Sequence, residues 1–318
     1  MARHAVLLLS FPLLFTCSAV FAESSSGEQV LSFKICARQL IVVQGSIGQL
    51  EKRNLVIDTG AYPTVIDREV ARRLGLNGHM EELDAVDRTV SSMAVRVPEI
   101  AVGPIHTTHL RSLVEDLSDV SRRAGVRIDA LVGLDVLAHS SFRIDYDSRK
   151  IFFGHVDRMP STIPFHLANA KLCVDLKAGS NTVRMLVDTG AEKVMLLASH
   201  VPWIAHSDRA QAFTNLGGSF VMQEVRLGTL LLGDTNLNSE PVYLSTRDMP
   251  IYSFDGFLAT IQFRQVAFDF ERDEFGWIAR DDRRKHVHVA SGAAEAPPYA
   301  TGFIEEVPKP GNALAPKR

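Results

Sequence analysis

The strongest constraint on this 318-residue chain is an internal repeat. Leu55-Val-Ile-Asp-Thr-Gly-Ala61 returns 130 positions later as Met185-Leu-Val-Asp-Thr-Gly-Ala191. A second landmark follows each copy: Ile128-Asp-Ala-Leu-Val-Gly-Leu134, then Phe254-Asp-Gly-Phe-Leu-Ala-Thr260, at an offset of 126. After each landmark come two strand-like runs, 142–147 with 150–153 and 266–271 with 274–277, and each pair reads as a hairpin. Signals recurring in one order mark a duplicated unit, and two copies are too few for a solenoid. A unit of about 125 residues, with short apolar strands between Gly, Asn and Asp turns, implies two mostly β lobes.

The spacing places lobe 1 at residues 29–157 and lobe 2 at 158–281, with Met159-Pro-Ser-Thr-Ile-Pro164 as the crossing. Helical signal is sparse: Asp67–Leu74 has an acidic start, Val70 and Leu74 on one face and Gly75 as a stop, which predicts a short helix. Residues 23–28 read as a flexible N-terminus, and residues 282–318, rich in Pro and Ala, as a disordered tail.

Hydrophobic residues make up 46% of the chain, which excludes disorder throughout and demands a packed core. The 34 basic against 37 acidic residues leave a net charge of −3, so no overall field draws the chain to nucleic acid or an anionic membrane. A peptide or protein substrate is the expected partner, with no nucleic acid.

Residues 1–22 read as a signal peptide. Arg3 and His4 precede an apolar run, and Val20 and Ala22 supply the small residues before a cut ahead of Glu23. The run is short and interrupted by Ser10, Pro12 and Ser18, which disfavours a membrane anchor. A secreted or periplasmic location follows, with a lipid anchor at Cys17 as the minority option. Cys36 and Cys173 permit one disulfide without implying it, and two buried thiols are the preferred reading. No Cys/His spacing suits zinc, and His286-Val-His288 reads as a solvated part of the tail, so neither metal nor cofactor is expected.

In both copies an apolar strand ends in Asp-Thr-Gly-Ala. One such tetrapeptide is an ordinary turn; two in matched repeats are a different matter. Duplication puts equivalent residues on either side of a pseudo-two-fold axis, where Asp58 and Asp188 can meet. Two adjacent carboxylates cannot both ionise cheaply, so the pair holds one proton and titrates as a unit. One member then takes a proton from water while the other polarises a carbonyl, giving hydrolysis without metal or covalent intermediate.

On these residues the chain resembles the retropepsin-like aspartic peptidases, in a bilobal single-chain form that fuses both halves of a normally homodimeric site. The resemblance rests on Asp58-Thr-Gly-Ala61, Asp188-Thr-Gly-Ala191 and the hydrophobic-hydrophobic-Gly element Leu131-Val-Gly133, and spans about residues 35 to 280. It implies two tandem acid-protease β-barrel lobes with few short helices, and a monomer. It implies Asp58 and Asp188 as catalytic, Thr59 and Thr189 bonding across the lobe interface, and Gly60 and Gly190 bringing amides to the carboxylates. The second lobe departs at Phe257-Leu-Ala259, where Ala259 replaces the family glycine and is expected to crowd the loop beneath Asp188. The flap that covers substrate is expected at Gly217 and Gly218 or, in the first lobe, at residues 85–95. Alanine after each motif glycine removes a hydroxyl donor from the carboxylates, which predicts activity in mildly acidic to near-neutral conditions.

The leading reading is an endopeptidase holding an extended peptide between its lobes; the alternative is a non-catalytic or weakly active peptide-binding protein on the same fold. A glycosidase needs two carboxyl groups but not two identical loops. No Gly-x-Ser-x-Gly elbow or phosphate-binding loop occurs. Trp203 and Trp277 read as packing anchors, Asp145 and Asp269 as strand or turn residues, and Arg283-Arg-Lys285 as solvated.

Overall fold

The computed structural model describes residues 29–84, 89–168, 170–205, 209–215, 218–238, 241–245 and 253–280. The expectations for the signal peptide, Cys17, the 23–28 segment, Gly217, residues 85–88, Arg283–Lys285 and the tail with its histidines lie outside the described residues. No helix among the described residues is long and apolar enough to cross a membrane.

The chain is mainly β, with three short α-helices among the described residues. Its first half builds an eight-stranded sheet from strands between Lys34 and Val132, and its second half a ten-stranded sheet from strands between His166 and Ala259. Each sheet is organised around the end of a motif strand. Leu50–Ile57 pairs in parallel with Ala130–Val132, which pairs antiparallel with Val65–Asp67. In the second half Asn181–Asp188 pairs in parallel with Gly256–Ala259, which pairs antiparallel with Val194–Leu197. Leu55, Val56 and Ile57 are wholly buried, and so are Met185 and Val187. That explains why these strands are continuously apolar rather than alternating: both faces are covered.

The second landmark has a structural role of its own. Asp129 accepts the Asn54 amide at 3.0 Å and donates its own amide to the Asn54 carbonyl. Asp255 does the same with Arg184, its carboxylate accepting the amide at 2.7 Å. Each aspartate thus aligns the returning strand with its motif strand.

The expected hairpins form, but they do not stay within separate halves. Phe142–Asp145 pairs antiparallel with Phe263–Asp269, joining both hairpins in one six-stranded sheet whose outer strands are Gln29–Ser32 and Ser161–Pro164. The supposed crossing is therefore itself a strand, registered Ser161 against Trp277, and its proline sits on an edge where a missing donor is tolerated. Phe142 and Phe268 stack across the junction with centroids 4.7 Å apart, and Phe268 meets Phe275 edge to face at 5.5 Å. Asp145 and Asp269 hold the two hairpin turns, each carboxylate accepting two amides from the turn ahead of it.

The helix Arg68–Arg73 occupies the tract read as helical, capped by Asp67, whose carboxylate accepts the Glu69 amide at 3.1 Å. Trp277 is buried and donates its indole N–H to Thr235 at 2.9 Å. Trp203 departs from expectation: it is 43% exposed and anchors no core. Cys36 and Cys173 are both free thiols, Cys173 buried and Cys36 only half-buried.

Because Phe268 packs on residues from both halves, Phe268→Ala is expected to lower the unfolding free energy by about 3–5 kcal/mol in a denaturant titration. A loss under about 1 kcal/mol would contradict the joint core described here.

Candidate active site

Both motif aspartates emerge where a buried strand ends. Asp58 follows Leu50–Ile57 and donates its amide to the Val132 carbonyl at 3.0 Å, while Asp188 closes Asn181–Asp188 in register with Ala259. Parallel pairing on one side and a turn on the other leave each carboxyl projecting from a fixed backbone.

The loops are locked to each other by their threonines, both fully buried. Thr59 donates its hydroxyl to the Val187 carbonyl at 2.8 Å and accepts the Thr189 amide at 3.1 Å. Thr189 donates its hydroxyl to the Ile57 carbonyl at 2.8 Å and accepts the Thr59 amide at 3.0 Å. Buried polar groups require partners, and here each loop supplies those of the other. Serine keeps the hydroxyl and valine removes it at nearly constant shape, so the pair of variants isolates the bonds.

The glycines explain how close the carboxyls come. A methyl on Gly60 would lie 2.6 Å from the Asp188 carboxyl carbon, and one on Gly190 would lie 3.0 Å from that of Asp58. Each glycine therefore faces the carboxyl of the opposite loop, and Asp58 and Asp188 lie within hydrogen-bonding reach of one another. The glycine amides serve their own loops: Gly60 donates to Asp58 at 3.0 Å and Gly190 to Asp188 at 2.7 Å, joined by Ala191 at 3.1 Å.

Burial is the main reason that both carboxyls titrate high. Asp188 is pushed up to about 7 by burial and then by the charge of Asp58, against the pull of its amide donors and Lys171. Asp58 is also raised by burial, opposed first by Lys171 and then by its amide donors. Lys171 itself was not singled out in the sequence. It opens the strand Lys171–Ala178 and donates its ammonium to the Gly60 carbonyl at 2.9 Å, across from the other half of the chain. Aligning the repeats was the available signal, for the matching position in the first half is the buried Leu40.

The supports beneath the loops differ. In the first half Gly133 donates its amide to Thr64 at 3.0 Å, and Thr64 donates its hydroxyl to Asp135 at 2.6 Å. A methyl at Gly133 would lie 2.5 Å from the Ala61 carbonyl oxygen. Val194 and Ile261 stand where the second half would need Thr64 and Asp135, so this polar brace is absent there. Ala259 has φ −69° and ψ 125°, an ordinary extended conformation, whereas Gly133 has ψ −175°. The expected crowding is met by a different backbone.

Both expected flap tracts are hairpins. Gly78–Asp84 pairs with Thr89–Val102, and Ala210–Asn215 pairs with Gly218–Val225, placing Gly218 opposite Asn215. Gly217 and residues 85–88 lie outside the described residues. Among the described residues no group of three or more His, Cys, Asp or Glu side chains has an arrangement suited to a metal.

Residues 43–136 match the aspartyl protease family model. The match includes Asp58 and Gly133 but ends before Asp188, so it bears on the first motif and supports a protease-like function. No curated protein shows a significant match to the chain.

Two outcomes are expected. Thr59→Val should cost about 2–4 kcal/mol by leaving buried amide and carbonyl groups unpaired, and Thr59→Ser under about 1.5 kcal/mol; equal losses in urea unfolding would show that the hydroxyl is not what matters. The second concerns pH. Folded Asp188 keeps its proton up to about 7, whereas an unfolded aspartate releases it near ~3.9. The raised value favours the folded state fully below the unfolded pKa, and that contribution is lost as pH rises through the folded one. Asp188→Asn should therefore raise the melting temperature at pH 8 by on the order of 5 °C while changing it little at pH 4, and a gain confined to pH 4 would reverse the sign of this account.

Proposed function

We propose that the chain is an aspartic endopeptidase made of two related β lobes, residues 29–157 and 158–281, with Asp58 and Asp188 as one catalytic dyad across the pseudo-two-fold axis. The observation that carries this reading is reciprocal: each motif glycine approaches the carboxyl of the opposite motif, while the two threonines exchange hydrogen bonds. A turn needs no such partner, and two carboxyls forced together are costly unless their shared proton is useful.

The singly protonated pair performs the reaction. Asp58, nearer in its electrostatics to Lys171, is the ionised member, and Asp188 keeps the proton up to about 7. Asp58 removes a proton from a water held between the carboxyls as its oxygen attacks the peptide carbonyl carbon. Asp188 donates its proton to the carbonyl oxygen. The tetrahedral gem-diol collapses as Asp58 passes its proton to the nitrogen, a hydroxyl proton returns to Asp188 and the C–N bond breaks. One water is consumed, one acid and one amine leave, and the dyad regains its single proton.

The substrate is an extended peptide or protein segment lying between the lobes and pairing with their edges as an added strand. The enzyme acts as a monomer, without metal or cofactor, in a secreted or periplasmic setting after cleavage near Ala22. Hydrophobic packing of the two halves through one shared sheet is consistent with a site completed within one chain.

Cleavage of a mixed peptide library from pH 3 to 8 tests the reading. Asp58→Asn and Asp188→Asn are each expected to lower kcat/KM by about 10³-fold or more, and parent activity should decline above about pH 7 as the last proton leaves. Undiminished cleavage by either variant, or a maximum near pH 2, would contradict it. A folded parent that retains peptides without cutting them would establish the binding-protein alternative.

A further inference from the structure

The two motif loops are alike in sequence, and Lys171 hydrogen-bonds the first of them at the Gly60 carbonyl. Lys171 lies two residues before Cys173, which is registered against Leu186, and Leu40 lies two residues before Val42, registered against Val56 in the first half. The repeat therefore places a buried leucine and a lysine at matching positions. A lysine at the start of a buried strand needs compensation for its lost hydration. Part of that compensation is the 2.9 Å hydrogen bond to the Gly60 carbonyl, contributed by the loop that holds Asp58. The rest is charge: Asp58 attracts Lys171 most strongly, followed by Asp188, the Cys173 thiol and Asp135.

We propose, building on the dyad described above, that Lys171 is a positioning residue: its ammonium braces the Asp58 loop through the Gly60 carbonyl and holds the single negative charge of the carboxyl pair on Asp58. The Gly60 carbonyl belongs to the same residue on which a methyl would lie 2.6 Å from the Asp188 carboxyl carbon. Anchoring it fixes the distance between the carboxyls as well as the field they feel. A cation beside one member breaks the electrostatic equivalence that duplication would otherwise leave.

Tyr146 also interacts with Asp188; its hydroxyl lies 2.6 Å from the Thr260 hydroxyl and its phenol is pushed up by burial, so it stays neutral and supplies no competing charge. Lys171 itself is pulled down by burial, against the attraction of Asp58, Asp188, Cys173 and Asp135. Its effect on the carboxyls is to favour ionisation, most strongly for Asp58, where it is the leading influence opposing burial. It thereby extends the singly ionised state toward lower pH, offsetting what the alanines after the motif glycines fail to donate.

The test uses the purified chain with Lys171→Met, which keeps length and removes charge, and Lys171→Arg, which keeps charge. The acid limb of the kcat/KM profile should move up by about one pH unit in Lys171→Met, a roughly tenfold loss on the acid side that shrinks toward neutrality, and Lys171→Arg should return the limb toward its parent position. A second readout needs no activity. Removing the cation raises the carboxyl pKa values further, so unfolding stability should decline more steeply between pH 4 and 8 in Lys171→Met than in the parent. A uniform loss of activity with an unmoved acid limb, or an unchanged slope of stability against pH, would overturn the proposal by reducing Lys171 to a structural brace. A parent without peptidase activity would sink the endopeptidase reading and leave the stability slope to decide this one.

Discussion

Four hydrogen bonds between two threonines and the backbone opposite them hold the centre of this molecule. Each hydroxyl takes an amide from the other loop and gives its own proton to a carbonyl of that loop's strand. In a fully buried setting such bonds cannot be exchanged for water, so either loop is satisfied only while the other is in place. Everything else at the centre follows from that registration. The glycines face the carboxyls because the threonines beside them are crossed, and the carboxyls face each other because the glycines have no side chain to keep them apart.

Holding two acids in that position costs stability at neutral pH, and the surrounding structure offsets the cost unevenly. Amides from Gly190 and Ala191 serve Asp188, while Asp58 has the amides of Gly60 and Ala61 and, in addition, Lys171 behind its loop. The polar brace of Thr64, Gly133 and Asp135 supports the first loop, and apolar Val194, Ala259 and Ile261 replace it beneath the second. These differences give two motif loops of the same sequence unequal surroundings. In the proposed reaction an acid and a base need different surroundings, and this asymmetry is consistent with one motif written twice providing both.

Much of the centre was readable before any coordinates, because repetition is visible in one dimension. The two Asp-Thr-Gly-Ala tetrapeptides, the hairpins after them and the helix at 68–73 all left local signals. The sharing of one sheet between the halves did not, since a hairpin's pattern records which face is apolar and says nothing about which neighbour will cover its edge. The strand at Ser161–Pro164 was hidden by its proline and by Pro160 just ahead of it, since proline is a breaker in a central strand and acceptable on an edge. Lys171 was hidden for a different reason: a single lysine in a strand reads as a solvated face, and only the position of the opposite loop turns it inward. Trp203 shows the same limit in reverse, an aromatic assigned to packing by type but left at the surface by its loop.

The proposed dyad requires Asp58 and Asp188 to share a proton. Carboxyl-carbon NMR of aspartate-labelled protein, titrated from pH 2 to 9 with Asp58→Asn and Asp188→Asn used to assign the two signals, measures this directly. Two linked steps are predicted, both signals responding in each and the upper step lying near 7, with the linkage abolished in either variant. Two independent transitions near ~3.9, each unaffected by loss of the other aspartate, would show two ordinary turn carboxylates and contradict it.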